Sequence, residues 1–152
     1  MAANSIIQLH VNRAIHILVI EANPLHQVLI DSGLRLSSPR AKPTLVTTLA
    51  AAIHYLHQCA TSQLAPPKLV MLGVDTSLRE SDWQLLRELR TRYCLLPVLI
   101  LSAYVDPDFI RQVYDLGAHS FIAKPRRPKE WELQLKSLAF YWLEIVTLPR
   151  AY

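Results

Sequence analysis

The chain has 152 residues, room for one domain with a full hydrophobic core. It is 51% apolar and 18% charged, which excludes a disordered or fibrous polypeptide. Its net charge of +4 comes from 16 basic and 12 acidic residues. The basic residues are scattered, clustering only as Arg87, Arg90 and Arg92 and as Arg126, Arg127 and Lys129. A solvated or partner-facing surface is expected from that pattern, and a nucleic-acid interface is not.

Two cysteines, Cys59 and Cys94, are too few for a disulfide framework and read as inert thiols in a reducing compartment. No unbroken apolar run nears the roughly 18 residues of a membrane span. Residues 1–13 lack the basic-then-apolar order of a signal peptide. A cytoplasmic protein without a membrane partner is expected.

Residues 15–20 form an unbroken apolar run but for His16, the pattern of a strand buried on both faces. Asn23-Pro24 then reads as a helix cap with proline in the first turn, and Leu25, Val28, Leu29 and Leu36 are expected on the packed side. A weaker strand is expected at 44–47, followed by a helix from Thr48 to Cys59 packing through Ala52, Leu56 and Cys59. The run 69–72 is the third strand. Ser81 with Gln84 three residues on predicts a capping box for the next helix, which packs through Trp83, Leu86 and Leu89. The run 98–101 is the fourth strand. Asp106-Pro107 opens a fourth helix that ends at Gly117, a left-handed cap. A weak fifth strand at 119–123 leads to a helix from Pro128, with Trp131, Leu135, Leu138 and Trp142 at helical spacing.

Strand then helix, five times over, implies an α/β fold with a doubly wound parallel sheet and right-handed crossovers. Ligand chemistry in such folds gathers at the carboxyl ends of the strands. The residues there are Glu21 and Ala22, then Gly73 and Asp75, then Ser102, then Lys124 and Pro125, with Phe121 just before the last pair.

This set resembles the receiver domains of two-component response regulators, the CheY-like family, over nearly the whole chain. The resemblance implies a flavodoxin-like (βα)5 sandwich with strand order 2-1-3-4-5. It implies two acids after the first strand and an aspartate ending the third, which hold magnesium while the aspartate takes a phosphoryl group from a kinase histidine. It further implies that metal and lysine neutralise the phosphoryl oxygens, and that the hydroxyl residue and the aromatic one relay the change.

Here the match is partial. Glu21 fills the first acidic position, Ala22 the second, and Gly73 stands where the acceptor belongs. Ser102, Phe121, Lys124 and Pro125 are in place. Glycine cannot carry a phosphoryl group, and the loss of two carboxylates removes most of the metal site. No cofactor, no metal and no enzymatic activity are therefore expected. Asp75 lies two residues beyond Gly73, on the same side if the strand continues. Phosphorylation at Asp75 is the alternative. A buried Lys124 without a partner would be costly, so pairing with Glu21 is expected, directly or through water.

The C-terminal stretch 140–149, aromatic-rich and closing with Val-Thr-Leu-Pro, resembles the small single-domain receivers that serve phytochrome-type histidine kinases. That resemblance implies a kinase partner and a homodimer through the fourth helix, fifth strand and fifth helix. The expected contacts are Asp108, Arg111, Asp115, Arg126, Trp131, Phe140, Tyr141 and Trp142, apolar surface flanked by charges of both signs. The expected organisation is an extension over 1–14, the receiver over 15–140 and a dimer-associated extension over 141–152. His54 and His57 are three apart but lack a third ligand, while His10, His16, His26 and His119 are dispersed, so packing or surface roles are expected. The leading function is that of a pseudo-receiver, a docking module that does not accept phosphate. An active receiver using Asp75 comes second, and a basic nucleic-acid-associated protein last.

Overall fold

The structure is a computed structural model and describes residues 13–149; residues 1–12 of the expected extension over 1–14, with His10, and residues 150–152 lie outside the described residues. Its elements are β1 (Ile15–Ile20), α1 (Pro24–Ser37), β2 (Ala41–Val46), α2 (Leu49–Thr61), β3 (Leu69–Val74) and α3 (Glu80–Arg92). These are followed by β4 (Val98–Ser102), α4 (Pro107–Asp115), β5 (Ser120–Ala123) and α5 (Pro128–Ala139), with a π-helical stretch over Phe140–Ile145. All strand pairs are parallel and the sheet order is β2-β1-β3-β4-β5, as expected.

Alternation along the buried strands divides the interior into two cores. Leu18, Ile20, Val70, Leu72, Val98 and Ile100 face α2, α3 and α4, meeting Leu56, Leu86, Leu89, Phe109 and Val113. Ile17, Val19, Leu69, Met71, Leu99 and Leu101 face α1 and α5, meeting Ile30, Leu34, Trp131, Leu135 and Leu138. Because the connection out of β1 runs to β2 on one side and that out of β3 runs to β4 on the other, a crevice opens at the carboxyl ends of β1 and β3.

Four local expectations need correction. First, β2 begins at Ala41, earlier than expected, and includes Pro43. Second, α1 buries Ile30, Gly33 and Leu34, whereas Leu25, Val28 and Leu36 are exposed. The reason lies at Gly33. A β-carbon there would strike the Leu135 side chain, with Leu135 Cβ only 3.1 Å away, so the bare backbone lets α5 approach and selects the face. Third, α3 starts before Ser81: the Arg79 N–H donates to Asp82 Oδ2 at 3.1 Å, so Asp82 closes the first turn and Ser81 lies inside it.

Fourth, Trp131 is 3% exposed, packed in its own core with its ring 4.9 Å from that of His26, so it is no interface residue. The chain beyond 140 is also continuous with the domain. Leu143 is buried in the α1–α5 core, and Arg40 pairs with Glu144 at 3.4 Å. The C-terminus of α4 closes as expected: the Ala118 N–H donates to Val113 O and the Gly117 N–H to Tyr114 O, with Gly117 at φ 101°.

Candidate functional site

The end of β1 delivers Glu21 into the crevice, and the backbone turn after it is fixed by Asn23. The Asn23 side-chain oxygen accepts from the N–H groups of Leu25 and His26 at 3.0 and 3.3 Å, capping α1. The Asn23 N–H donates to Glu21 Oε2 at 3.2 Å, and its side-chain amide donates to Asp75 Oδ2 at 3.3 Å. One residue thus starts the helix and orients two carboxylates.

β3 does not stop at Leu72 but runs through Gly73 to Val74, so Asp75 follows directly on its end. Asp75 reaches the crevice from there and is 39% exposed at its side chain. From the end of β5, Lys124 crosses the crevice. Its Nζ lies 2.5 Å from Glu21 Oε1, 2.7 Å from Asp75 Oδ1 and 2.9 Å from His26 Nδ1. The expected Glu21–Lys124 pair is therefore direct, between side chains 1% and 2% exposed.

The Lys124 ammonium has only protons to offer, so its contact with His26 Nδ1 is a hydrogen bond where that nitrogen presents a lone pair. Partial burial pushes the Asp75 carboxyl up. The hydrogen bond and charge of Lys124, with help from Asn23 and His26, outweigh burial and hold it below the ordinary aspartate value. Two carboxylates around one ammonium leave the cluster one negative charge in excess.

Gly73 explains the arrangement. A β-carbon built on it would collide with Glu21 Oε1 and lie 2.7 Å from Glu21 Cδ and 3.0 Å from Oε2. The Glu21 carboxylate occupies the volume through which an acceptor side chain would leave residue 73. Ala22 is exposed beside it and offers no ligand atom. The magnesium site of receivers does not fit these residues. Magnesium asks for several hard oxygen ligands in octahedral array, but two of the three carboxylate positions are empty here and Lys124 engages the third.

The other expected site residues lie around this centre without joining it. Ser102 is fully buried, and its hydroxyl donates to Tyr104 O at 2.7 Å while accepting the Tyr104 N–H at 3.0 Å. Phe121 is half-buried, edge-on to Phe109 with centroids 5.9 Å apart. Pro125 follows Lys124 out of the crevice. Asp108, Arg111, Asp115 and Arg126 are all exposed, as are Phe140 and Tyr141, while Trp142 is half-buried.

Sequence reasoning missed Asn23 as more than a cap, and missed His26. The available signal was position: both stand in the turn and first helical turn after β1, where the crevice must open. The pair His54 and His57 is exposed on α2 and, among the described residues, gathers no third ligand; His57 instead contacts Arg92. Among the described residues the cluster of metal-capable donors is Glu21, His26 and Asp75. Also among them, no helix is long and apolar enough to cross a membrane.

No family model matches the chain. It is 27% identical over 138 residues to response regulator Rcp1 of Synechocystis sp., covering 89% of this chain and 93% of that protein. Among solved structures it is similar to the phosphorylated cyanobacterial phytochrome response regulator RcpA, at 26% identity and TM-score 0.78, over 90% of this chain and 99% of that one. The Mn(2+)-bound form of Rcp1 shares the fold at 24% identity and TM-score 0.76, over 89% and 99% of the two chains.

Proposed function

We propose that this chain, similar along most of its length to response-regulator receiver domains, serves two-component signalling as a docking module whose usual acceptor position takes no phosphate. One observation carries the reading: the Glu21 carboxylate fills the side-chain space of Gly73 and holds Lys124. Phosphorylation at residue 73 needs an oxygen nucleophile that glycine lacks. The lysine that would neutralise a phosphoryl group is already neutralised by carboxylates of the protein itself. The charge pattern of the crevice is thereby fixed, and the surface it supports does not wait on a kinase.

The likeness to RcpA favours a phytochrome-type histidine kinase as the partner, in the cytoplasm. A homodimer through α4, β5 and α5 is part of the same proposal. Tyr141 and Trp142 line a groove with His119, Ile122 and Leu138, and Phe140 and Tyr141 are over half exposed beside it. Light scattering at micromolar concentration tests this. A dimer that Tyr141→Glu converts to monomer supports it, and a monomeric parent protein refutes it.

A second reading rests on Asp75, which is accessible and 2.7 Å from Lys124 Nζ. In it, a carboxylate oxygen of Asp75 attacks the phosphorus of the donor, forming an acyl phosphate as the donor's leaving group departs. Incubation with acetyl phosphate and magnesium followed by intact-mass measurement separates the two. An unchanged mass supports the docking module. A phosphoryl adduct that disappears in Asp75→Ala establishes the second reading.

A further inference from the structure

Three donor atoms, from the residues that follow β1 and β3 and from the first turn of α1, converge on one point in the crevice, and that point holds a cation. The Lys124 ammonium is 2.5 Å from Glu21 Oε1, 2.7 Å from Asp75 Oδ1 and 2.9 Å from His26 Nδ1. His26 Nδ1 lies 3.4 Å from Asp75 Oδ1 and 3.7 Å from Glu21 Oε1. A tetrahedral ion with bonds of about 2.0–2.2 Å sets its ligand atoms roughly 3.3–3.6 Å apart. The two separations from His26 therefore already stand close to edges of such a tetrahedron, and all three donor atoms lie within 4.8 Å of one another, with Lys124 where the ion would be.

Charge points the same way. The ammonium offsets one of two carboxylates, whereas a divalent ion offsets both. The donor set decides which ion. One imidazole nitrogen with two carboxylates suits zinc-class metals, and the single hard-oxygen environment that magnesium prefers is absent. Lys124 has a flexible four-carbon stem at a strand end and can withdraw to water.

We propose that Glu21, His26 and Asp75 form a site for a zinc-class divalent ion, which enters by displacing the Lys124 ammonium and keeps a fourth position open. Binding would switch Lys124 from the crevice to the surface. The site stands on donor geometry and is independent of whether any residue accepts phosphate.

Cobalt(II) alone, titrated into the full chain and followed by visible absorption, tests the proposal. A protein-dependent band saturating at one equivalent is expected, bleached by zinc and indifferent to excess magnesium. His26→Ala and, separately, the accessible Asp75→Asn should each weaken cobalt binding by at least about tenfold, the lower end of what loss of even an outer-shell partner costs. A His54→Ala/His57→Ala double variant should leave it unchanged. Lys124, protected from acetic anhydride in metal-free protein, should become labelled when cobalt is bound. Absence of the band, its displacement by magnesium, undiminished affinity in both ligand variants, or a Lys124 that stays protected would each overturn the proposal.

Discussion

The carboxylate of Glu21 stands over the α-carbon of Gly73, so close that a β-carbon on residue 73 would lie 2.7 Å from Glu21 Cδ. Gly73→Ala should therefore destabilise the domain by about 1–3 kcal/mol, the range for overpacking a filled site. In a Glu21→Ala background the same change should cost markedly less, because the colliding group is gone. Urea unfolding of the four proteins measures the coupling, and equal costs in both backgrounds would refute it.

Lys124 and Glu21 hold each other out of water. Removing the ammonium by Lys124→Met leaves a buried carboxylate uncompensated, and a loss of about 3 kcal/mol is expected. Neutralising both partners, Glu21→Gln with Lys124→Met, should restore part of that stability. The check is again the unfolding midpoint, in metal-free buffer.

His119 predicts a pH dependence. Its Nδ1 accepts the Val98 N–H at 3.1 Å, and desolvation of the ring, with Arg90 adding repulsion, holds its pKa below the ordinary value. Between that depressed value and about 6.5 the unfolded chain binds more protons than the folded one, so stability rises with pH. The contribution of His119 is fully present above about 6.5, is lost as pH falls below it, and levels off beneath the folded value. Chemical denaturation across pH 5 to 8 (roughly the histidine range) should show this slope flattened in His119→Gln.

Gly117 is the described residue with positive φ, at 101°, and a β-carbon there would also sit 3.0 Å from Arg90 Nε. Gly117→Ala should cost more than about 1 kcal/mol, since strain outweighs the entropy saved in the unfolded chain. A thermal midpoint equal to that of the parent protein would contradict this.

The interior was legible because its strands are continuous apolar runs, so β1, β3 and β4 could be read to within a residue or two. α1 was misread because Leu25, Val28 and Leu36 mimic a packed face, while the true face is chosen by a glycine whose value is an absence of atoms. The Glu21–Lys124 pair followed from the cost of an unpartnered buried amine. The roles of Asn23 and His26 did not follow, since nothing in their spacing shows that a turn brings them against residues about 50 and 100 positions away. Likewise, periodicity could place Asp75 on the correct side only once β3 was known to continue through Val74.

Pro43 has a consequence for the outer margin of the sheet. Arg40 O and Val46 O accept from Ile15 in β1 and from Glu21 just beyond it, so alternate residues between them turn the same way, and Pro43 directs its backbone outward. No N–H exists there to welcome another strand, and exposed Lys42 adds charge next to it. An added strand would find no donor at this position, and the outward carbonyl of Pro43 already accepts from Arg35 Nη2 at 3.5 Å, so the border is a poor template for another strand.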